Sequence, residues 1–139
     1  MMNNKDLIHR YYADLWNRWD DAAVDEIIAQ DIQFRGSLGV TVTSRDGFRG
    51  YVAQVRAAFP DFHNRVDHLL AEGDCVAAHL TYSGTHQGEL YGAAPTLHRV
   101  EYGGIASFWI SEGQITSGLV YGDTIGLMRQ IGTFGPEIS

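Results

Sequence analysis

The sequence predicts an α+β fold in which three helices come first, a curved, largely antiparallel sheet follows, and a short helix closes the chain. Three observations carry this expectation. Apolar residues recur every three or four positions up to Pro60, the period changes to two beyond it, and turn signals at Gly73-Asp74 and Ser111-Glu112-Gly113 punctuate the alternating stretches.

The first helix is expected from Asn4 to Trp16, because Leu7, Ile8, Tyr11, Tyr12, Leu15 and Trp16 share one face and Asn3 or Asn4 can cap it. A second runs from Asp21 to Ala29 behind the Asp20-Asp21 start signal and buries Val24, Ile27 and Ile28. Ile32 to Arg35 reads as a short strand and Gly36 to Ser44 as loop. Arg45-Asp46-Gly47 then opens a third helix through Phe48, Val52, Val55, Ala58 and Phe59, which Pro60 stops. Phe62–Glu72 and Cys75–Thr85 form a hairpin about the two-residue turn Gly73-Asp74. Gly84 to Pro95 is glycine-rich loop without a phosphate-loop lysine. Arg99–Ile110 and Gln114–Tyr121 form a second hairpin about Ser111-Glu112-Gly113, read as a three-residue loop with glycine in the left-handed position. Asp123 caps a last helix that runs through Leu127, Met128 and Ile131 to Gly132.

A chain of 139 residues fits one domain, taken as 1–139, since a unit of this size buries most of its apolar surface in one core. Its net charge of −7 disfavours a phosphate backbone, and its ten basic residues gather into no stripe, so nucleic acid is not an expected partner. A single cysteine, Cys75, allows no internal bridge. With neither a leader pattern nor a membrane-length apolar run, a cytoplasmic protein without a membrane partner is expected. The acidic residues fall mostly on helix starts or turns, so no metal site is expected.

Hairpin register then groups side chains by face. With a three-residue loop, Ile110 pairs with Gln114, and Ile105, Ser107, Trp109, Ile115, Leu119, Tyr121 and Asp123 share a bulky face, expected to look into a pocket under the helices. The opposite face, with Gly104, Ala106, Gly118 and Gly122, is expected to meet another backbone or subunit, hence a homodimer. In the first hairpin the turn sets His68 opposite His79. That pair could exchange protons near neutral pH, or simply be a solvated cross-strand contact. His86 is read as a structural hydrogen-bonding group.

Several motifs then occur in order: Phe59-Pro60-Asp61, Glu72-Gly73-Asp74, Gly84-Thr85-His86-Gln87-Gly88, Gly92-Ala93-Ala94-Pro95-Thr96, and Asp123 followed by Gly126-Leu127 and Gln130-Ile131-Gly132. With Trp16-Asn17 at the end of the first helix, they make the chain resemble the SnoaL-like polyketide cyclases of the nuclear transport factor 2-like superfamily, which also holds ketosteroid isomerase. The resemblance implies a cone: a curved sheet wrapped by three helices around one apolar pocket, commonly as a homo-oligomer. It implies intramolecular aldol chemistry on a hydrophobic, carbonyl-bearing molecule without cofactor or metal, with Asp123 as general acid/base. Tyr12, Trp16, Phe34, Phe59, Trp109 and Tyr121 are the expected substrate-binding wall. Trp109 stands where cyclases of the family place a basic residue, and His79 is the candidate replacement. Two readings stay beside this one: Asp123 as a helix cap only, and the same cone as a small-molecule-binding module without catalysis.

Overall fold

A computed structural model describes residues 3–133. The first helix is α1 (Asn4–Arg10), capped by Asn3 in a reciprocal capping box with Asp6, and it widens into one π-helical stretch over Tyr11–Trp16. Next come α2 (Asp21–Ile27), β1 (Ile28–Arg35), the two-residue β2 (Thr41–Val42) and α3 (Arg45–Ala58). They are followed by β3 (His63–Glu72), β4 (Cys75–Thr85), β5 (Arg99–Ser111), β6 (Gln114–Gly122) and α4 (Thr124–Ile131). Asp20 and Ser44 cap α2 and α3 by accepting from backbone N–H groups, and Gly132, at φ +82, ends α4 in the left-handed conformation. No helix among the described residues is long and apolar enough to cross a membrane.

The six strands form one open mixed sheet, ordered β2-β1-β6-β5-β4-β3. Only β1 and β6 run parallel; every other pairing is antiparallel. This is the cone architecture the motifs imply. The elements agree with the periodicity at nearly every position. The chief differences are that β1 begins four residues before Ile32, where Ile28 already pairs with Ile115, and that β2 lies inside the expected loop.

The first hairpin has the expected register, with Glu72 opposite Cys75 and His68 opposite His79. The second does not. Ser111 pairs with Gln114 across a two-residue turn whose Glu112 and Gly113 both have positive φ, the geometry that matches strand twist. One ladder step on, a bulge leaves Thr116 unpaired, so Ile110 faces Ile115 while Trp109 faces Ser117. Ile115 thereby turns to the helix side, and the remaining bulky set turns away from it.

The helix-covered face is the one carrying Gly104, Ala106, Phe108, Ile110, Gly118, Val120 and Gly122, the reverse of the expectation from side-chain size. The physical reason is volume. Rings from the helices and from neighbouring strands occupy this face, and they leave no room for side chains at the centre of β5 and β6. A Cβ on Gly104 would lie 2.5 Å from the Tyr82 ring, and one on Gly118 would lie 2.7 Å from Phe34. Around these glycines pack Tyr11, Trp16, Phe34, Phe48, Tyr51 and Phe108, several of them edge to face. The outer face instead exposes Ile105, Trp109, Tyr121 and Leu70, so the two-subunit contact expected on the glycine face has no free surface there.

Which face is inside can be checked by two neighbouring substitutions in β6. Gly118→Val should overpack Phe34 and cost about 1–3 kcal/mol in urea unfolding, whereas Ser117→Val, on the outer face, should stay within about 0.5 kcal/mol. Equal effects would contradict the assignment.

Candidate functional site

Where the helices meet the glycine-bearing face, a cavity of about 20 Å³ remains, room for one water molecule. The first helix contributes Tyr11, Tyr12 and Trp16 to its wall, β1 and the segment after it Phe34 and Ser37, and α3 contributes Tyr51. Phe62, Asn64 of β3, Tyr82 of β4 and Val120 of β6 complete it. The π-helical stretch matters here, because it carries Tyr11, Tyr12, Leu15 and Trp16 all buried on one side.

The polar side-chain groups of this wall are hydroxyls, one carboxamide and the indole N–H of Trp16. No carboxylate or imidazole is among the lining residues described. Tyr12 and Tyr82 are buried, and neither hydroxyl has a hydrogen-bond partner among the described residues. Burial pushes the phenols of Tyr11, Tyr12, Tyr82 and Tyr102 well above their ordinary range, so near neutral pH they are uncharged donors. Asn64 is held by Asn17, which accepts from the Asn64 backbone N–H at 2.7 Å and donates to its carbonyl at 3.0 Å.

Residues 36–40 form a strap that contributes Ser37 to the wall and is pinned by Tyr51, Tyr91 and Tyr102. The Leu38 N–H donates to Tyr51 Oη at 3.3 Å, Tyr91 Oη donates to the Leu38 carbonyl at 3.2 Å, and Ser37 Oγ lies 3.2 Å from Tyr102 Oη. Gly36 is required beneath it, since a Cβ there would collide with the Tyr51 ring.

The structure divides the expected site residues. Tyr12, Trp16 and Phe34 line the cavity. Phe59 is fully buried but lies one layer back, packed on Phe62 and His86. Trp109 and Tyr121 are on the outer face, where the Arg35 guanidinium sits 4.8 Å above the Tyr121 ring. They sit there because β5 turns Ala106 and Phe108 to the helices, beside the equally buried Ala78 and Val76 of β4, and so turns Ile105 and Trp109 outward. His79 is also on that outer face and exposed, its ring 5.7 Å from that of His68, so it does not reach the cavity. Asp123, expected at the cavity rim, is exposed; its Oδ1 accepts from the Gly126 N–H at 2.9 Å as the cap of α4. His86 is buried, and its Nδ1 accepts from the Thr96 N–H at 3.2 Å.

Sequence reasoning missed Tyr11, Ser37, Tyr51, Phe62, Asn64, Tyr82 and Val120 as lining residues. The signals were present: Tyr51 follows Phe48 by three on the buried face of α3, Tyr82 alternates with Ala78 and Leu80, and Asn64 alternates with Phe62.

A family model described as SnoaL-like polyketide cyclase matches residues 6–131. Among solved structures, IdmH from Streptomyces antibioticus, a candidate polyketide cyclase, is similar at 26% identity and a TM-score of 0.82, over 94% of this chain and 99% of that one. AclR from Streptomyces galilaeus, a candidate hydroxylase, is 29% identical with a TM-score of 0.82, over 98% of this chain and 84% of its own. The fold alone is shared with a candidate SnoaL-like polyketide cyclase from Jannaschia sp. CCS1, at 20% identity, a TM-score of 0.83, and 96% and 93% coverage. No curated protein matches the chain in sequence.

The raised phenols have a stability consequence with a definite sign. Above about pH 10 the unfolded chain loses phenolic protons that the folded chain keeps, so the unfolded state binds fewer protons and stability falls as pH rises. Urea midpoints should therefore be level up to about pH 9.5 and drop steadily beyond about pH 10. A midpoint unchanged up to about pH 11 would contradict neutral, buried tyrosines.

Proposed function

The chain belongs to the SnoaL-like polyketide cyclase family, and from that premise we propose that it is a cofactor-free lyase or isomerase acting on a hydrophobic, carbonyl-bearing, polyketide-like molecule held in the aromatic cavity. One observation carries the proposal: Tyr12 and Tyr82 bring hydroxyls that have no partner among the described residues to a wall made otherwise largely of rings. Neutral phenols in a water-poor site can donate to a carbonyl oxygen and stabilise the negative charge that grows on it when a neighbouring C–H is removed. Flat rings of Trp16 and Phe34 would stack the substrate skeleton and exclude water.

The resemblance assigns proton transfer to Asp123. In the closed molecule this carboxylate lies outside the cavity, three residues beyond the lining Val120. Gly122, next to it, abuts the strap, since a Cβ there would meet the Ser37 carbonyl at 3.1 Å. Substrate-sized ligands need roughly 300 Å³ or more, so binding requires the strap and rings to move, and the proposal has Asp123 act in that opened state. A second reading, a binding module without catalysis, is favoured by the lack of a carboxylate or imidazole among the lining residues described.

The homodimer is proposed on the outer face, which exposes Ile105, Trp109 and Tyr121 and whose position suits a two-fold contact. Trp109→Lys should then shift sedimentation from dimer to monomer without loss of helix signal. An unchanged sedimentation coefficient would count against that face.

Catalysis and binding separate in one assay, the exchange of the α-protons of 1-tetralone into D₂O followed by NMR. The wild type should accelerate exchange. Tyr12→Phe or Tyr82→Phe should each slow it about 10²-fold, and Asp123→Asn, which still caps α4, should slow it about 10²–10⁴-fold. A wild-type protein that binds the ketone without speeding exchange is a binding module. An unaltered rate in Asp123→Asn removes that residue from the mechanism.

A further inference from the structure

The contacts between Asn17 and Asn64 determine which end of the Asn64 carboxamide is left over. Asn17 Oδ1 receives the Asn64 backbone N–H at 2.7 Å, and Asn17 Nδ2 meets the Asn64 carbonyl at 3.0 Å. A backbone N–H only donates and a backbone carbonyl only accepts, so the orientation of the Asn17 amide follows from its partners. The side-chain atom of Asn64 that lies 3.3 Å from the same Asn17 oxygen is then its Nδ2 donor. Asn64 Oδ1 is the remaining atom, an acceptor with no partner among the described residues.

That acceptor belongs to a residue only 4% exposed, which lines the cavity and sits on β3 directly opposite Tyr82 of β4. Its carboxamide is not needed to hold the chain together. The two shorter contacts to Asn17 use the backbone of residue 64, so an apolar side chain would keep both and avoid burying an amide. Among the described residues His86 Nε2 is the one fully buried side-chain atom without a partner, so Asn64 Oδ1 is not sealed off and a ligand's donor can reach it.

We infer that Asn64 Oδ1 is a specificity-determining acceptor, which selects ligands carrying a hydroxyl in addition to the carbonyl that Tyr12 and Tyr82 bind. The complementary ligand is a flat hydroxy-ketone, phenolic or enolised, with its carbonyl oxygen toward the two tyrosine donors and its O–H toward Asn64. The inference rests on the reading of the cavity as a carbonyl site and adds the second polar contact that reading lacks. Neither Tyr12 nor Tyr82 requires a hydroxyl on the ligand, since a donor pair is satisfied by a bare ketone; Asn64 does.

Three probes of one skeleton separate the two claims: 1-tetralone, 6-hydroxy-1-tetralone and 6-methoxy-1-tetralone, titrated by calorimetry. The wild type should bind the hydroxy compound roughly 5–10-fold more tightly than its methyl ether, the increment of one buried hydrogen bond. Asn64→Leu should abolish that preference, bringing the hydroxy and methoxy ketones to within about twofold of each other. Equal binding of the hydroxy and methoxy ketones to the wild type overturns the inference whether or not the variant folds. A preference that survives in folded Asn64→Leu overturns it as well. If 1-tetralone itself fails to bind, the carbonyl-site reading falls and the inference with it, whereas tight 1-tetralone binding without hydroxyl preference sinks the inference alone.

Discussion

Rings supplied by the helices and outer strands must fit against the middle of β5 and β6, and they fit because those strands carry almost no side chains there. Gly104 lies under Tyr82, Gly118 under Phe34, and Gly122 beside Tyr102 and Ser37. Remove this relation and the cavity, its hydroxyls and the strap over it lose their places together. The two-residue turn at Glu112-Gly113 and the bulge one step beyond it set the pairing of β5 with β6 and turn Ile115 to the same buried side.

The same arrangement gives the site its chemical character. Packing many large rings into a small cone leaves little empty volume, and the tyrosines among them bring polar atoms that cannot all be satisfied by one another. Tyr51, Tyr91 and Tyr102 spend their hydroxyls on the strap, whereas Tyr12 and Tyr82 keep theirs for the cavity. Desolvation holds all of these phenols neutral, which suits donation to a growing oxyanion and prevents a buried charge. Asp123 is positioned differently, exposed at the start of α4, where its carboxylate accepts from the Gly126 N–H.

Helices, strands and the first hairpin were legible because they depend on local period and turn chemistry, and the order of motifs was enough to point to the family. The facing of β5 and β6 was not. Size alone suggests that Ile105, Trp109 and Tyr121 are interior and that glycines are a contact surface, yet interior volume is shared between layers, and the sequence does not show how much of it the helices have already filled. A one-residue difference in the turn, three against two, is also invisible to spacing, because Ser111-Glu112-Gly113 suits either. Asn64 was overlooked for a related reason: a polar residue in an alternating strand reads as outward until its partner, Asn17, is seen forty-seven positions away.

The most direct test of this account is a crystal structure of the protein with 1-tetralone bound. The ketone should lie between Trp16 and Phe34 with its oxygen within hydrogen-bonding reach of Tyr12 and Tyr82, and the strap at Ser37-Leu38 should be displaced. A ketone seated instead on the outer face beside Trp109, with the inner rings undisturbed, would contradict it.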